Sequence, residues 1–269
     1  MRLTYLGTAA SEGFPALFCN CAYCNEARRL GGKNIRTRSQ ALINDDLLID
    51  LPADTSHHFL ANGIEGDRIR YLLLTHGHSD HFYPKELEIR HGCYARQMRV
   101  PTLRVIGSEG TLKRLGEVPQ GVELSVVRAF ETVELDGYRI TALPARHMPG
   151  GEPLFYIIEG DKTLLYAHDT GYFYEEAFAC IQERGFAFDM VSLDCTNVDI
   201  PISDEGGHMG FPNLGRVLER LREMGAVREE TVCYVNHFSH NGNPLQDALC
   251  ERAAEYGCSV SYDGCCVEL

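Results

Sequence analysis

The stretch Tyr71-Leu72-Leu73-Leu74-Thr75-His76-Gly77-His78-Ser79-Asp80-His81 decides how this chain is read. Its first four residues are an apolar run suited to a buried strand. The next seven place three imidazoles and a carboxylate within six positions, at the point where that strand would end. Imidazole nitrogen and carboxylate oxygen are ligands that zinc, manganese and iron accept. Packing gives no reason to gather four such groups at a strand end, so the stretch reads as a metal-binding loop.

Outward from this loop, ligand-type residues recur at the ends of other β-type runs. His147 follows Ile140-Thr141-Ala142-Leu143-Pro144-Ala145-Arg146, and Asp169 follows Leu164-Leu165-Tyr166-Ala167-His168 and precedes Thr170-Gly171. Asp194 closes Met190-Val191-Ser192-Leu193, and His237 closes Val232-Cys233-Tyr234-Val235-Asn236. Strand ends gathered on one edge of a sheet can assemble a site from distant sequence. A lone histidine is more often a hydrogen-bonded structural residue than a ligand; only the joint pattern lifts His147 and His237. His168 neighbours Asp169, and strand alternation turns it to the opposite face. His57, His58 and His91 have no motif around them and read as surface residues.

Short β-type runs alternate with helical ones. Strands are expected at 2–6, 40–50, 69–74, 103–106, 139–143, 154–159, 163–167, 190–193 and 232–235. Helices are expected at 22–30, 57–62, 85–96, 109–115, 174–184, 214–224 and 244–256. Asn44-Asp45-Asp46 and Glu159-Gly160-Asp161-Lys162 read as hairpin turns. The whole chain, 1–269, reads as one α/β domain with two sheets inside and helices outside.

Composition narrows the function class. Net charge is −13, from 25 basic and 38 acidic residues. That disfavours non-specific binding to nucleic acid or to an anionic membrane. No apolar run reaches bilayer-spanning length, and Met1–Gly7 has no signal-peptide layout, so a cytoplasmic protein is expected. Arg28, Arg29, Lys33, Arg36 and Arg38 form an acid-free basic stretch, read as a solvated face or an anion-attracting rim. Of 11 cysteines, three cluster as Cys19-Asn20-Cys21-Ala22-Tyr23-Cys24, which reads as a metal site. Cys93, Cys180, Cys195, Cys233, Cys250 and Cys258 read mostly as small core residues, and Cys265-Cys266 has no clear reading.

The His-x-His-x-Asp-His loop, the lone histidine, the aspartate before Thr-Gly and the late histidine together resemble the metallo-β-lactamase fold superfamily. The resemblance runs over nearly the whole chain. It implies an αββα sandwich, two mixed β-sheets flanked by helices, with a dinuclear centre at one edge. Position by position it implies that His76, His78 and His147 hold one divalent ion (Zn²⁺ or Mn²⁺). Asp80, His81 and His237 would hold a second, with Asp169 bridging. Two carboxylates offset only half of four positive charges, so such a pocket stays cationic and suits an anionic ester.

Within the superfamily, the Cys-x-Cys-x-x-Cys loop with His237-x-x-His240 resembles the PhnP group of cyclic phosphodiesterases. That implies a structural Zn²⁺ held by Cys19, Cys21, Cys24 and His240, separate from the catalytic pair. It implies hydrolysis of a small, cyclic phosphodiester, such as 5-phosphoribosyl 1,2-cyclic phosphate, by a hydroxide that Asp80 orients. His208, in Gly206-Gly207-His208-Met209-Gly210, would assist the leaving oxygen. Neighbouring readings are a hydrolase of a thioester, lactone or RNA phosphodiester, and a carrier resembling PqqB. A homodimer is expected by likeness to relatives alone.

Overall fold

The computed structural model describes residues 1–269 and consists of two seven-stranded sheets packed face to face with helices outside. The first sheet contains β1 (Arg2–Gly7), β2 (Gln40–Ile43), β3 (Leu47–Ile49), β4 (Tyr71–Leu73), β5 (Leu103–Gly107) and β6 (Val122–Val126). The second contains β7 (Thr132–Leu135), β8 (Tyr138–Pro144), β9 (Leu154–Glu159), β10 (Thr163–Ala167), β11 (Met190–Asp194), β12 (Val232–Asn236) and β13 (Ser259–Val260). A last strand, β14 (Cys265–Glu268), returns to pair antiparallel with β1. The strand orders are β14-β1-β2-β3-β4-β5-β6 and β13-β12-β11-β10-β9-β8-β7. Both sheets are mixed: β3 to β6 run parallel, as do β10 to β13.

Alternation along the strands builds the layers. Leu3, Tyr5, Ile43, Ile49, Tyr71 and Leu73 of the first sheet meet Ile140, Tyr156, Ile158, Leu164 and Tyr166 of the second in the central core. The opposite face of the first sheet, with Leu42, Leu48, Leu72 and Val105, packs under α2 (Thr55–Asn62). The opposite face of the second, with Phe155, Ile157, Leu165, Val191, Leu193 and Val235, is covered by three helices. These are α5 (Glu175–Glu183), α6 (Phe211–Glu223) and α7 (Gln246–Ala254). In α6, Phe211, Leu214, Val217, Leu218 and Leu221 form the buried stripe that 3.6-residue periodicity demands, and Pro212 sits in its first turn. The remaining helices are α1 (Ala22–Leu30), α3 (Lys85–Glu88) and α4 (Glu109–Leu112). No helix is long and apolar enough to cross a membrane.

The expected sandwich and both hairpin turns are present, and α1, β9 and β10 match the expected boundaries. Five elements differ. The helix expected over 85–96 stops at Glu88, because Gly92 takes a left-handed φ of 66° and the segment lacks a continuous buried stripe. The polar edge strands β6 and β7 and the short C-terminal β13 and β14 escape the sequence pattern; β6 buries only Val122 and β7 fully buries none of its residues, so alternation is not enforced.

Three surface or core readings are corrected as well. His58 is buried, its ring bonded to Gln40 Oε1 at 2.6 Å and Thr37 Oγ1 at 2.7 Å. Arg36 is not part of a solvated face. It is fully buried, donating to Thr8 Oγ1, Ser261 O and Gln246 Oε1, with its guanidinium over the Phe238 ring. Cys93 and Cys250 are exposed, whereas Cys180, Cys195, Cys233 and Cys258 are core residues.

Candidate metal centre

The site forms where the two sheets' strand ends meet. The loop after β4 is pinned to both sheets: Leu74 N–H donates to Ile106 O, and Tyr156 Oη–H of the second sheet donates to Leu74 O at 2.6 Å. Asp50, one residue beyond β3, accepts from Thr75 N–H at 2.8 Å and from the Thr75 hydroxyl. This fixes the direction in which His76 to His81 leave the sheet.

His76, His78 and His147 converge. His78 Nδ1 lies 3.0 Å from both His76 Nε2 and His147 Nε2. Burial keeps the rings of His76 and His147 below the ordinary histidine pKa, hence neutral and able to ligate. His147 Nδ1–H donates to Gly207 O at 3.1 Å, which leaves its Nε2 lone pair pointing inward. A tetrahedral zinc with Zn–N bonds of roughly 2.0–2.1 Å separates its ligand nitrogens by about 3.3 Å. The trio is close to that spacing.

The second group is His81, His237 and Asp80. His81 Nε2 lies 3.3 Å from His237 Nε2 and 3.5 Å from Asp80 Oδ2. Asp169 stands between the groups. Its Oδ2 is 2.7 Å from His81 Nε2 and 2.9 Å from His237 Nε2, and its Oδ1 is 3.5 Å from His147 Nε2.

Asp169 Oδ2 is buried and has no hydrogen-bond donor. The His81 and His237 nitrogens facing it belong to rings whose other nitrogens are already engaged, at Asp50 Oδ2 (2.7 Å) and Thr196 Oγ1 (2.8 Å). A ring N–H held by an oxygen on its far side is the usual arrangement behind a metal-ligating histidine. An anion facing two inward nitrogens fits a shared cation. The residues therefore fit a pair of divalent ions.

Local backbone supports this placement. Asp50, Asp169 and His237 all lie just past strand ends with positive φ (63°, 52° and 67°). Such residues are rare outside turns and functional sites. Asp194 and Thr196 form the floor. Asp194 accepts from Asp169 N–H, Thr196 N–H and Met209 N–H at 3.0 Å each, and lies 3.2 Å from His208 Nδ1. Burial disfavours the charged His208 ring, but Asp194 and Asp169 outweigh it and raise its pKa to about 9.

Sequence reading marked Asp194 as a strand end but gave it no place in the site, and it missed Asp50 and Thr196. A carboxylate directly after the apolar run Leu47-Leu48-Ile49 was the available signal for Asp50. His168 turns away as expected, its ring bonded to Ser192 Oγ at 2.7 Å.

A separate cluster joins Cys19, Cys21, Cys24 and His240. His240 Nδ1 is 3.9 Å from Cys21 Sγ and 3.7 Å from Cys24 Sγ. With Zn–S near 2.3 Å, a tetrahedral site places sulfur about 3.6 Å from nitrogen. Contact with His240 and the Cys24 N–H lower the Cys21 pKa to about 6, whereas burial raises that of Cys24 to about 11. The donor set fits a zinc. Ser239 Oγ–H and His240 N–H both donate to Glu12 Oε1, tying the segment that carries His240 to the chain that leads into the cysteine loop.

Paired sheets in an αββα sandwich with a His/Asp cluster at their common edge define a metallo-hydrolase fold that binds divalent metals such as Zn²⁺. The description of the β-lactamase superfamily domain matches residues 48–235, and the chain belongs to that family. The matched span holds the His-rich loop, His147, Asp169, Asp194 and His208; the cysteine loop, His237 and His240 lie outside it.

Among solved structures the chain is similar to a diphosphatase of the PhnP family, at 22% identity and a TM-score of 0.75, covering 100% of this chain and 97% of the other. It is similar to Zn²⁺-bound PqqB from Methylobacterium extorquens, at 19% identity and a TM-score of 0.76, covering 100% of both chains. It also matches the metallo-β-lactamase fold protein YhfI from Bacillus subtilis, at 17% identity and a TM-score of 0.72, covering 99% and 98%. An octanoyltransferase of Porphyromonas gingivalis (strain ATCC BAA-308 / W83) is 35% identical over 104 residues, 37% of this chain; the match spans only 20% of that protein's length.

Proposed function

We propose that this metallo-hydrolase cleaves a small phosphodiester, cyclic in the natural substrate, and that its ligands fall into three sets. His76, His78 and His147 hold one catalytic ion, and Asp80, His81 and His237 hold the other, with Asp169 shared between them. Cys19, Cys21, Cys24 and His240 hold a structural zinc. The observation that carries the reading is the donorless Asp169 Oδ2 facing the nitrogens of His81 and His237, with Oδ1 turned towards His147.

When bound, the two ions supply positive charge for phosphoryl oxygens and a nucleophilic hydroxide near neutral pH. The protein's own groups do the rest. Asp80 accepts a hydrogen bond from the attacking water and so sets its orientation. His208 keeps Nδ1 on Asp194 and Thr196, which leaves Nε2 to carry the proton. The Asp194 carboxylate at Nδ1 favours the protonated ring, so Nε2–H can be given to the departing alkoxide. Acidity elsewhere on the surface argues for a small substrate rather than a nucleic acid, since a net charge of −13 opposes a polyanion.

The test is a panel of bis(p-nitrophenyl) phosphate, 2′,3′-cyclic nucleotides and carboxylic esters with protein of measured metal content. Turnover of phosphodiesters above esters is expected. Absence of phosphodiester turnover with both ions shown to be bound would overturn the proposal. A PqqB-like carrier role would leave a single ion per chain, at the cysteine cluster, whereas the complete ligand set here favours about three.

A further inference from the structure

His208 lies on a long connection between β11 and α6, residues 195–210, which crosses the metal-ligand cluster like a strap. On its inner side it is held by Asp194, through His208 Nδ1 and Met209 N–H. At its α6 end Asn213 Nδ2 donates to Ile202 O and Asp204 Oδ1, and Arg216 pairs with Asp204. Its crest, Glu205-Gly206-Gly207, rests on one side chain that the proposed chemistry does not use, Arg146.

Arg146 is held in place from three directions. Its Nε donates to Tyr172 O at 3.0 Å, its guanidinium lies 4.1 Å over the Tyr174 ring, and Nη1 pairs with Glu205 Oε2 at 2.5 Å. Two flanking contacts share the crest. His147 Nδ1–H donates to Gly207 O. Gly171 lies so close to Gly206 that a Cβ there would stand 1.8 Å from Gly206 O and 3.2 Å from Arg146 Cδ. The backbone of Arg146 is tied separately, its N–H to Thr170 Oγ1 and its carbonyl to Gly171 N–H. Truncating the side chain therefore leaves His147 in register and acts on the strap.

We infer that Arg146 is a positioning residue for His208: it clamps the crest of the strap, and the clamp sets where His208 Nε2 sits over the cluster. The inference rests on the proposed role of His208 as proton donor. The closely packed glycine of Asp169-Thr170-Gly171 has a role in the same device. It admits the Gly206 carbonyl and lets the strap close.

The test compares Arg146→Ala, Arg146→Lys, Glu205→Gln, Gly171→Ala and His208→Ala in the metal-loaded protein. Two substrates differ in leaving group. Bis(p-nitrophenyl) phosphate expels a phenolate that needs little protonation, and 2′,3′-cyclic AMP expels a ribose alkoxide that needs it. His208→Ala is expected to lose about 100-fold on the alkoxide substrate and only a few-fold on the phenolate. Arg146→Ala is expected to lose about 5- to 30-fold in kcat on the alkoxide substrate alone, with KM and bound metal unchanged. It should add nothing in the His208→Ala background, as expected of residues acting through one group. Gly171→Ala should show the same leaving-group bias, and Arg146→Lys should restore part of the loss. Glu205→Gln should cost no more than about threefold, because its amide oxygen still accepts from Arg146 Nη1, whereas Glu205→Ala should approach the Arg146→Ala loss.

Hydrogen exchange gives a readout independent of turnover: Arg146→Ala should raise exchange at Gly206 and Gly207 about tenfold. Unchanged exchange there, or equal losses on both substrates that add to those of His208→Ala, would overturn the clamp. No leaving-group bias in His208→Ala itself would instead overturn the role given to His208.

Discussion

Asp50→Asn is the substitution that most directly tests how the centre is held. Asp50 is buried and serves two masters. Oδ1 accepts from Thr75 N–H at 2.8 Å, and Oδ2 lies 2.7 Å from His81 Nδ1. Asparagine fits the same space and tolerates the left-handed φ of 63° as well as aspartate does, so the backbone has no reason to move. The amide, however, offers one acceptor and one donor where two acceptors are needed.

Either it turns its NH₂ towards Thr75 N–H, leaving a buried donor facing a donor, or it turns it towards His81. The second choice forces the Nδ1 proton to Nε2, the nitrogen that faces Asp169 Oδ2 and is meant to ligate. A buried unsatisfied donor costs about 1–3 kcal/mol. Loss of an outer partner of a ligating histidine typically weakens metal binding about 10- to 100-fold, or about 1.4–2.7 kcal/mol. Chelator-competition titration with Zn²⁺ should therefore show one class of site weakened by that factor, with the cysteine site unchanged and the protein folded. Wild-type affinity at every site, or equal weakening of the cysteine site, would refute the reasoning.

Three further outcomes are expected. Cys21→Ser should lose one zinc by elemental analysis and lower Tm while the His/Asp ligands stay loaded; loss of all metal from a folded variant would show that the clusters are not independent. His58 is buried, and burial lowers its pKa to about 4, below the ordinary value near 6.5. The unfolded chain therefore takes up a proton first as pH falls. Stability attributable to His58 is complete above pH 6.5 and declines by up to about 3 kcal/mol towards pH 4. Urea unfolding across that range should show a shallower decline in His58→Gln, and parallel curves would contradict the assignment. Arg36→Met should cost about 3–5 kcal/mol in urea unfolding, because Ser261 O, Gln246 Oε1 and the half-buried Asp263 lose their cation; a cost below about 1 kcal/mol would mean that the buried cation is dispensable.

The fold was legible because its central strands are apolar enough to show as runs, and each site strand ends in a polar residue. Thr75 to His81 declares itself locally. His147, Asp169 and His237 do not: each is an ordinary residue until its strand end is placed beside the others. Edge strands β6 and β7 stayed hidden because solvent on their flanks removes the burial constraint that writes alternation into sequence. The burial of Arg36 and His58 was invisible for the opposite reason. Each is satisfied by groups distant in sequence, Gln246 and Ser261 for one, Gln40 and Thr37 for the other. Asp50 and Thr196 act only through a second residue, and no spacing rule reports that.

The site draws on both sheets: the His-rich loop leaves β4 of the first, whereas His147, Asp169 and His237 follow β8, β10 and β12 of the second. Neither sheet alone can close it. The same holds for the cysteine cluster, whose thiols come from the beginning of the chain and whose imidazole comes from near its end. During synthesis a ribosome-bound chain lacking β12 would present thiols and the His-rich loop but no complete site. Under the ligand sets proposed above, metal acquisition would be timed by chain assembly, and each bound ion would rivet together halves made at different moments.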